Sequence, residues 1–441
     1  MKKAIIFGLV VMLLSFSVVG CGSNNAATNQ NAQNNKVADT PKEAPKEEPK
    51  KQEAPAEKKE VTVFHFKVNI EKQFQALIDI YNAEHPNVVV KQEAVGGSTD
   101  WMALLKTRFA AGKGPEIFVV DGVSQLNLWK DRLADLSAEP WVEHSFDFAK
   151  SEMTIDGKLY GMPVNTEGYG FIYNKEIFEE LSLEVPTTLT ELQAAAKTIQ
   201  DAGYTPFASG FGEFWVIGMH LINIAFAQQA DPGAFISQLT EGTAKFEGNE
   251  TFGKFKNLLD TIVQYGDSNP LTNDFNAQVA LFAGGKAAMI QQGNWMEPTI
   301  FSTNPDMKMG LMAIPLSDEP QMDKLPVGVP QNFVVNKDTN SVDESKAFLN
   351  WLVTDETALK YYTEEFGYIP AFDHISADNL GPLSQDIARY SKEGRTIPWV
   401  FSKWPDGSYN KFASILQGYV GKQYDYNEVL TKLQQTWDEL K

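Results

Sequence analysis

The feature that most constrains the fold is a regular alternation of strand and helix patterns between Val61 and Gly122. The segments VTVFHF, NVVVKQEAV and EIFVVDG are rich in β-branched and aromatic residues and indicate three strands. The intervening segments EKQFQALIDIYNAEHP and WMALLKTRFAAGKGP have helical character and end at proline or glycine. Strands that alternate with helices form a largely parallel sheet covered by helices. The pattern therefore predicts an α/β fold.

The N-terminal 60 residues have the composition of a targeting leader followed by a tether. Residues 1–20 begin with two lysines and continue with a short apolar run, which is the layout of a signal peptide. That run is too short for a comfortable membrane span, which needs about 20 apolar residues. Residues 21–60 are rich in Asn, Gln, Lys, Glu and Pro, so they can bury almost nothing. We predict a disordered tether here.

Cys21 is the only cysteine in the chain of 441 residues, so it cannot form an intramolecular disulfide. The segment VVGC that ends at Cys21 resembles the lipobox of bacterial lipoproteins, in which the cysteine is acylated and becomes the new N-terminus. The resemblance implies a lipid anchor, such as palmitate, on the extracellular face of a Gram-positive cell membrane. The alternative is an ordinary signal peptide that is cleaved nearby.

Charge and motifs argue against several classes of function. The net charge is −19, and the charges of the tether cancel, so the acidic excess falls on the rest of the chain. This argues against nucleic acid as a partner. G-x-S-x-G and phosphate-loop motifs are absent, and the five histidines have no spacing typical of a metal site. We therefore expect no catalytic residue, cofactor or metal, although two carboxylates that meet in a cleft remain compatible with glycoside hydrolysis.

Four segments, in an order and spacing that extend from Val61 to Leu440, resemble one family. They are FAAGKGPEIFVVDG, LYGMPVNTEGYGFIYNKEIFEEL, ALFAGGKAAMIQQGNW and FVVNKDTNSVDESKAFLNWLVTDETA. The family is that of the extracellular solute-binding proteins of ABC importers, in the branch that includes maltose-binding protein and many sugar-binding lipoproteins.

The resemblance implies a two-lobed periplasmic-binding-protein type II fold, in which a cleft separates two α/β lobes joined by three hinge crossings. Lobe 1 would comprise residues 61–165 and 328–371, and lobe 2 residues 166–327 and 372–441, with a helical C-terminus. The crossings would lie near residues 163–167, 326–330 and 370–373. The lobes would close on a ligand and dock on the transmembrane subunits of an ABC permease, without any chemical reaction.

The candidate ligand-binding residues are mainly aromatic or acidic. Trp295 ends a predicted strand, where the family places an aromatic residue that stacks on sugar rings. Asp121 lies at the carboxyl end of the third strand, and its carboxylate can accept hydroxyl groups. Glu167 matches a ligand carboxylate in the crossing of maltose-binding protein. The alternatives are a core tryptophan, an Asx turn that caps the next helix, and a role in hinge packing.

For each of the other candidates, a purely structural role is the alternative to ligand binding. They are Tyr169, Asn294, Trp215, Glu213, Lys67, Asn69, Asp100 and Trp101, while Trp399 and Trp404 are weaker possibilities. The candidates contain many acidic and aromatic side chains and few basic ones, which favours neutral sugars over phosphorylated ligands. We predict a binding protein for a carbohydrate, specifically an oligosaccharide. The alternatives are a binding protein for another neutral polyol-type solute and a two-lobed glycoside hydrolase.

Overall fold

Two open sheets organise the computed structural model, which describes residues 58–97 and 99–441. The predicted signal peptide, Cys21 and nearly all of the predicted tether lie outside the described residues. The strands are β1 (Lys59–His65), β2 (Val88–Ala94), β3 (Ile117–Val120), β4 (Thr154–Ile155), β5 (Lys158–Leu159), β6 (Gly161–Pro163), β7 (Glu167–Asn174), β8 (Thr205–Ala208), β9 (Ala287–Gly293), β10 (Met309–Met312), β11 (Leu325–Gly328), β12 (Asn332–Val335) and β13 (Thr396–Pro398).

Helices cover both sheets. They are α1 (Glu71–Glu84), α2 (Trp101–Ala110), α3 (Val123–Trp129), α4 (Asp147–Ser151), α5 (Lys175–Glu180), α6 (Leu189–Asp201), α7 (Ile222–Ala227), α8 (Pro232–Glu241), α9 (Glu250–Tyr265), α10 (Phe275–Ala283), α11 (Glu297–Thr303), α12 (Val342–Leu352), α13 (Glu356–Lys360), α14 (Pro382–Lys392), α15 (Ser408–Val420) and α16 (Tyr426–Leu440). No helix of the described ranges is long and apolar enough to cross a membrane.

The first sheet has the strand order β2-β1-β3-β12-β6. Strand β1 pairs in parallel with both β2 and β3, so the parallel sheet predicted from the strand–helix alternation is confirmed. Strand β12 returns much later in the chain and runs antiparallel to β3 and β6. The apolar stripe Phe74, Leu77, Ile78 and Tyr81 of α1 is buried, as its helical spacing predicts. We call the lobe built on this sheet the first lobe.

The second sheet has the order β13-β11-β7-β9-β8, and β10 also pairs with β7. Strand β7 is its centre and runs antiparallel to β9, β10 and β11. Gly170 in β7 allows this close packing, because a Cβ atom there would lie 2.0 Å from the carbonyl oxygen of Met312. We call the lobe built on this sheet the second lobe.

Three segments cross between the lobes and are hydrogen-bonded side by side. The amide of Val164 donates to the carbonyl of Gln331 (3.0 Å), and the amide of Thr166 donates to the carbonyl of Ile369 (2.9 Å). The side-chain amide of Gln331 also donates to Asn165 Oδ1 (3.3 Å) and contacts the hydroxyl of Tyr368 at 3.1 Å. Each crossing is therefore hydrogen-bonded to another, and the three crossings together form the base of the cleft between the lobes.

A cluster of aromatic residues forms much of the core of the second lobe. The ring of Phe226 is fully buried, and its centroid lies 4.4 Å from that of Trp404 and 5.2 Å from that of Phe252. Trp437 of the last helix packs on the same ring at 5.9 Å. The C-terminal helix is thus held by the core of this lobe.

We predict that Phe226→Ala lowers the free energy of unfolding by about 3–5 kcal/mol, because it removes a large ring from a closely packed core. Phe148→Ala is the matched control, since the Phe148 side chain is 58% exposed and its loss should change stability by no more than about 0.5 kcal/mol. Urea denaturation measures both. Equal effects of the two substitutions would contradict this description of the core.

Candidate ligand-binding site

A cavity of about 790 Å³ lies between the two lobes. Eight of the eleven candidate residues line it, which are Lys67, Asn69, Trp101, Asp121, Glu167, Glu213, Trp215 and Trp295. Strand ends account for several of these positions. Lys67 follows β1 and Asp121 follows its parallel neighbour β3, and parallel strands deliver their carboxyl ends to one edge of a sheet. The cavity therefore lies where an open α/β sheet places a ligand.

Trp295 reaches the cavity from the second sheet. Strand β9 ends at Gly293, which pairs with Tyr169, and a short 3-10 turn at Asn294–Met296 follows. The sequence pattern predicts that Trp295 ends the strand. In the structure the strand ends at Gly293, and Trp295 lies just beyond it. Its ring nitrogen donates to Gln292 Oε1 (2.9 Å), which fixes the orientation of the indole.

The base of the cavity contains a buried ion pair between the lobes. Lys67 Nζ lies 2.6 Å from Glu167 Oε1, and the two side chains are only 8% and 2% exposed. The side-chain amide of Asn165 donates to the same carboxylate oxygen at 3.0 Å. Removing two charges from water is costly, so such a pair persists only when the geometry and further hydrogen bonds compensate. This pair attaches the loop after β1 to the first residue of β7.

Aromatic rings form a wall on the side of the second lobe. The centroid of Trp295 lies 6.3 Å from Trp215, 6.4 Å from Trp399 and 5.2 Å from His220. On the side of the first lobe, Trp101 packs on Phe66 at 5.2 Å. Aromatic faces carry partial negative charge and pack well against the weakly positive C–H groups of a ligand.

Four buried polar atoms at the cavity lack a hydrogen-bond partner among the described residues. They are Asp121 Oδ1, Glu213 Oε2, His220 Nδ1 and Trp399 Nε1. Asp121 does not cap α3, because that helix begins after Gly122 without a side-chain cap. A buried polar atom without a partner costs about 1–3 kcal/mol, so a ligand that offers hydroxyl groups would recover this free energy.

Burial changes the charge state of two of these groups. It raises the pKa of Asp121 to about 7, although the nearby Tyr409 hydroxyl acts in the opposite direction, and the carboxylates of Asp406 and Glu152 add to the rise. Burial also lowers the pKa of His220 to about 3, with a further contribution from the positive charge of Lys67. His220 is therefore a neutral imidazole at pH 7, which suits an uncharged ligand.

Tyr169, Asn294 and Asp100 do not line the cavity. The Tyr169 hydroxyl donates to the carbonyl of His220 (2.8 Å), and the two rings stack with centroids 4.4 Å apart. The side chain of Asn294 accepts from the amide of Gly168 (3.1 Å), at the start of the central strand. Tyr169 and Asn294 thus support residues around the site.

Asp100 connects the two lobes beside the cavity. Its side chain caps α2 by accepting from the amide of Ala103 (2.9 Å). This cap is a structural role, which was the alternative to ligand binding for Asp100. Its second carboxylate oxygen accepts from the side-chain amide of Asn410 in α15 (2.8 Å). Asn69 makes a similar link by donating to the carbonyl of Trp295 (3.3 Å). Contacts between the lobes therefore occur on more than one side.

Several residues of the cavity were not among the principal sequence candidates. His220 and Met219 lie in a π-helical turn at Val216–Leu221, and such turns occur frequently at functional sites. The apolar composition of the segment WVIGMHLINIAFAQQA predicts only a largely buried helix there. Trp399, one of the two weaker possibilities, lines the cavity, whereas Trp404 lies in the aromatic core of the second lobe.

The chain is similar to named sugar-binding proteins. It is 22% identical to the multiple sugar-binding protein of Streptococcus mutans over 352 residues, which cover 78% of this chain and 82% of that protein. It is 26% identical to the maltotriose-binding protein of Pyrococcus abyssi over 337 residues, covering 74% and 70% respectively. Among solved structures, the solute-binding protein RafE in complex with raffinose matches with a TM-score of 0.75 and 21% identity, over 86% of this chain and 99% of that one.

The structural similarity confirms the predicted two-lobed α/β fold. The model of one family, the bacterial extracellular solute-binding proteins, matches residues 76–391, which is more than two thirds of the chain. The chain therefore belongs to the family of bacterial extracellular solute-binding proteins.

Proposed function

We propose that this protein captures a neutral oligosaccharide in the cavity between its lobes and delivers it to the transmembrane subunits of an ABC permease. One observation carries the proposal: aromatic faces and four unpartnered buried polar atoms surround the same cavity. A sugar presents apolar C–H faces and hydroxyl groups together, so it complements both features. The names of the relatives, which refer to multiple sugars and maltotriose, support the same class of ligand.

The proposed roles follow from the position of each side chain. Trp295 and Trp215 would stack on sugar rings, and Asp121 and Glu213 would accept hydrogen bonds from hydroxyl groups. Lys67 and Asn165 both bind Oε1 of Glu167, so Glu167 would contact the ligand through Oε2. Asn69 and Trp101 would contribute from the first lobe. Tyr169, Asn294 and Asp100 would act indirectly, through the hydrogen bonds described above.

The lobe boundaries belong to the same proposal. The strands of the first sheet lie within residues 61–165 and 328–371, apart from the first two residues of β1. The second sheet lies in the other ranges apart from Gly328, the last residue of β11, which supports the predicted division. Binding would bring the lobes together around the sugar by bending at the three crossings. Neither half of the site would bind the ligand well alone.

Another neutral polyol-type solute is the second candidate, since it offers the same hydroxyl groups. The volume of about 790 Å³ favours the larger ligand, because it lies in the upper part of the roughly 300–1,000 Å³ range of ligand pockets. The hydrolase alternative raised by the sequence is wrong, because the family consists of binding proteins of transporters.

We also propose that Cys21 is lipidated and that residues 21–60 tether the body to the extracellular face of a Gram-positive cell membrane. Support comes from the lipobox-like segment before Cys21 and from the polar composition of the tether. A permease in that membrane would then find the binding protein at high local concentration.

A thermal-shift screen of the protein against neutral oligosaccharides, single sugars, polyols and sugar phosphates tests the proposed ligand class. A ligand that binds only the native state raises the melting temperature. The proposal predicts a saturable rise with one or more neutral oligosaccharides. A rise only with single sugars or polyols would favour the second candidate, and a response only to phosphorylated sugars would contradict both.

We predict that Trp295→Ala weakens binding of the sugar found in that screen by about 1–3 kcal/mol, since it removes a stacking surface at the centre of the site. Isothermal titration calorimetry measures the affinity. Trp351→Ala is the control, because Trp351 packs on Tyr81 and Phe348 in the first lobe, away from the cavity. Equal affinities of Trp295→Ala and the control would remove Trp295 from the site.

We predict that Asp121 contributes to the stability of the empty protein at low pH and that this contribution is lost as the pH rises from about 4 to 7. Its folded pKa of about 7 exceeds the ordinary value of 3.8, so the folded state holds a proton that the unfolded state has released. The loss attributable to Asp121 is at most about 1.4 kcal/mol per pH unit. Asp121→Asn should therefore be stabilised relative to wild type more at pH 8 than at pH 4.

Urea denaturation at pH 4, 6 and 8 provides the measurement. Asp306→Asn is the control, because Asp306 is exposed. Its replacement should leave the pH dependence of the unfolding free energy the same as in wild type. If Asp121→Asn and wild type show the same pH dependence, the carboxylate is not buried as described.

We predict that Cys21→Ser releases the protein from the membrane without changing its melting temperature, because the residue is the proposed anchor and lies in the tether. Fractionation of cells followed by immunoblotting measures the distribution. Retention of the variant in membranes after washing at high salt would contradict lipid anchoring.

A further inference from the structure

A second group of chemically active side chains lies away from the cavity. It consists of His144, Asp373 and His374, which we call the histidine cluster. His144 ends the 3-10 turn Pro140–His144, and the other two residues lie at the end of the third crossing. One potential ligand atom of each residue lies within 4.8 Å of the others. The sequence showed no metal-binding spacing because about 230 residues separate His144 from its neighbours.

The hydrogen bond of His374 defines its tautomer. Its Nε2 atom lies 2.7 Å from the carbonyl oxygen of Val353, the residue after α12. A carbonyl oxygen only accepts hydrogen bonds, so Nε2 donates, and Nδ1 is the ring nitrogen that remains for a metal ion. Histidines that bind metals are oriented in this way, with the second ring nitrogen donating to a carbonyl or carboxylate.

His144 and Asp373 already have the separation of two ligands on one metal ion. The distance from His144 Nδ1 to Asp373 Oδ1 is 3.0 Å, so the ring N–H donates a hydrogen bond to the carboxylate in the absence of metal. Tetrahedral zinc with ligand bonds of about 2.1 Å separates its ligand atoms by roughly 3.4 Å. A metal ion can therefore replace that proton with a small movement of the side chains.

The backbone holds the cluster in place. The amide of Asp373 donates to the carbonyl of His144 (2.9 Å), and the amide of Phe146 donates to the carbonyl of Ala371 (3.0 Å). Ser145 and Phe372 form an antiparallel bridge between these bonds. The side chains of His144 and Asp373 are 43% and 60% exposed, so an ion can reach them. The carboxylate of Glu143, 3.8 Å from His144 Nε2, adds negative charge nearby.

We propose that the histidine cluster binds one zinc ion, through one ring nitrogen of each histidine and the carboxylate of Asp373. Two imidazoles and a carboxylate are a donor set that zinc prefers over magnesium or calcium, and water would occupy the fourth position. The ion would join the turn before α4 and the third crossing. None of the three residues lines the cavity, so this site is independent of the proposed sugar site.

Isothermal titration calorimetry with zinc chloride tests the proposal on the full chain, expressed without a polyhistidine tag and freed of metal by EDTA. Wild type should bind one zinc ion per chain, and zinc should raise its melting temperature. His144→Ala, His374→Ala and Asp373→Asn should each weaken binding at least about tenfold. Magnesium chloride should produce no binding heat.

Two control variants separate this site from other zinc ligands in the chain. His85→Ala removes a histidine at the end of α1, and Cys21→Ser removes the thiol, and both should bind zinc as wild type does. Circular dichroism checks that each variant is folded. Asp373→Asn keeps the size and shape of the side chain, so it still tests the site if an alanine variant unfolds. Failure of wild type to bind zinc, unchanged affinity in the cluster variants, or loss of binding in Cys21→Ser would each overturn the proposal.

Discussion

The buried ion pair between Lys67 and Glu167 determines how the two lobes meet. Each charge would be costly to bury alone, so the pair, with the amide of Asn165, fixes the loop after β1 against the start of β7. Asn165 is also bonded to Gln331, which in turn contacts Tyr368. One polar network therefore joins all three crossings at the base of the cavity, and the lobes must move around it.

The walls of the cavity differ in character from this base. Aromatic rings supply broad apolar faces, while the unpartnered atoms of Asp121, Glu213, His220 and Trp399 offer hydrogen-bonding capacity in the same space. The raised pKa of Asp121 and the lowered pKa of His220 have a common cause, which is burial. Burial makes charge unfavourable in both groups, and this is the physical basis for expecting a neutral ligand rich in hydroxyl groups.

Local patterns in the sequence predicted much of the fold. The alternation from Val61 to Gly122 predicted the parallel pairing of β1 with β2 and β3, since strand and helix periodicities depend on neighbouring residues. Positions next to strand ends, such as Lys67 and Asp121, were also predictable as residues facing a cleft. Their roles in binding stay predictions.

Long-range packing was not predictable in this way. His220 appeared only as one residue of a buried helix, because the π-helical turn that brings it to the cavity has no simple sequence pattern. The pairing of His144 with Asp373 depends on the path of the third crossing. A crystal structure of the protein grown with the sugar selected by the screen would show whether the cavity between the lobes binds the sugar. We expect sugar rings against Trp295, with hydroxyl groups bonded to Asp121 and Glu213. A sugar bound outside this cavity would contradict the proposal.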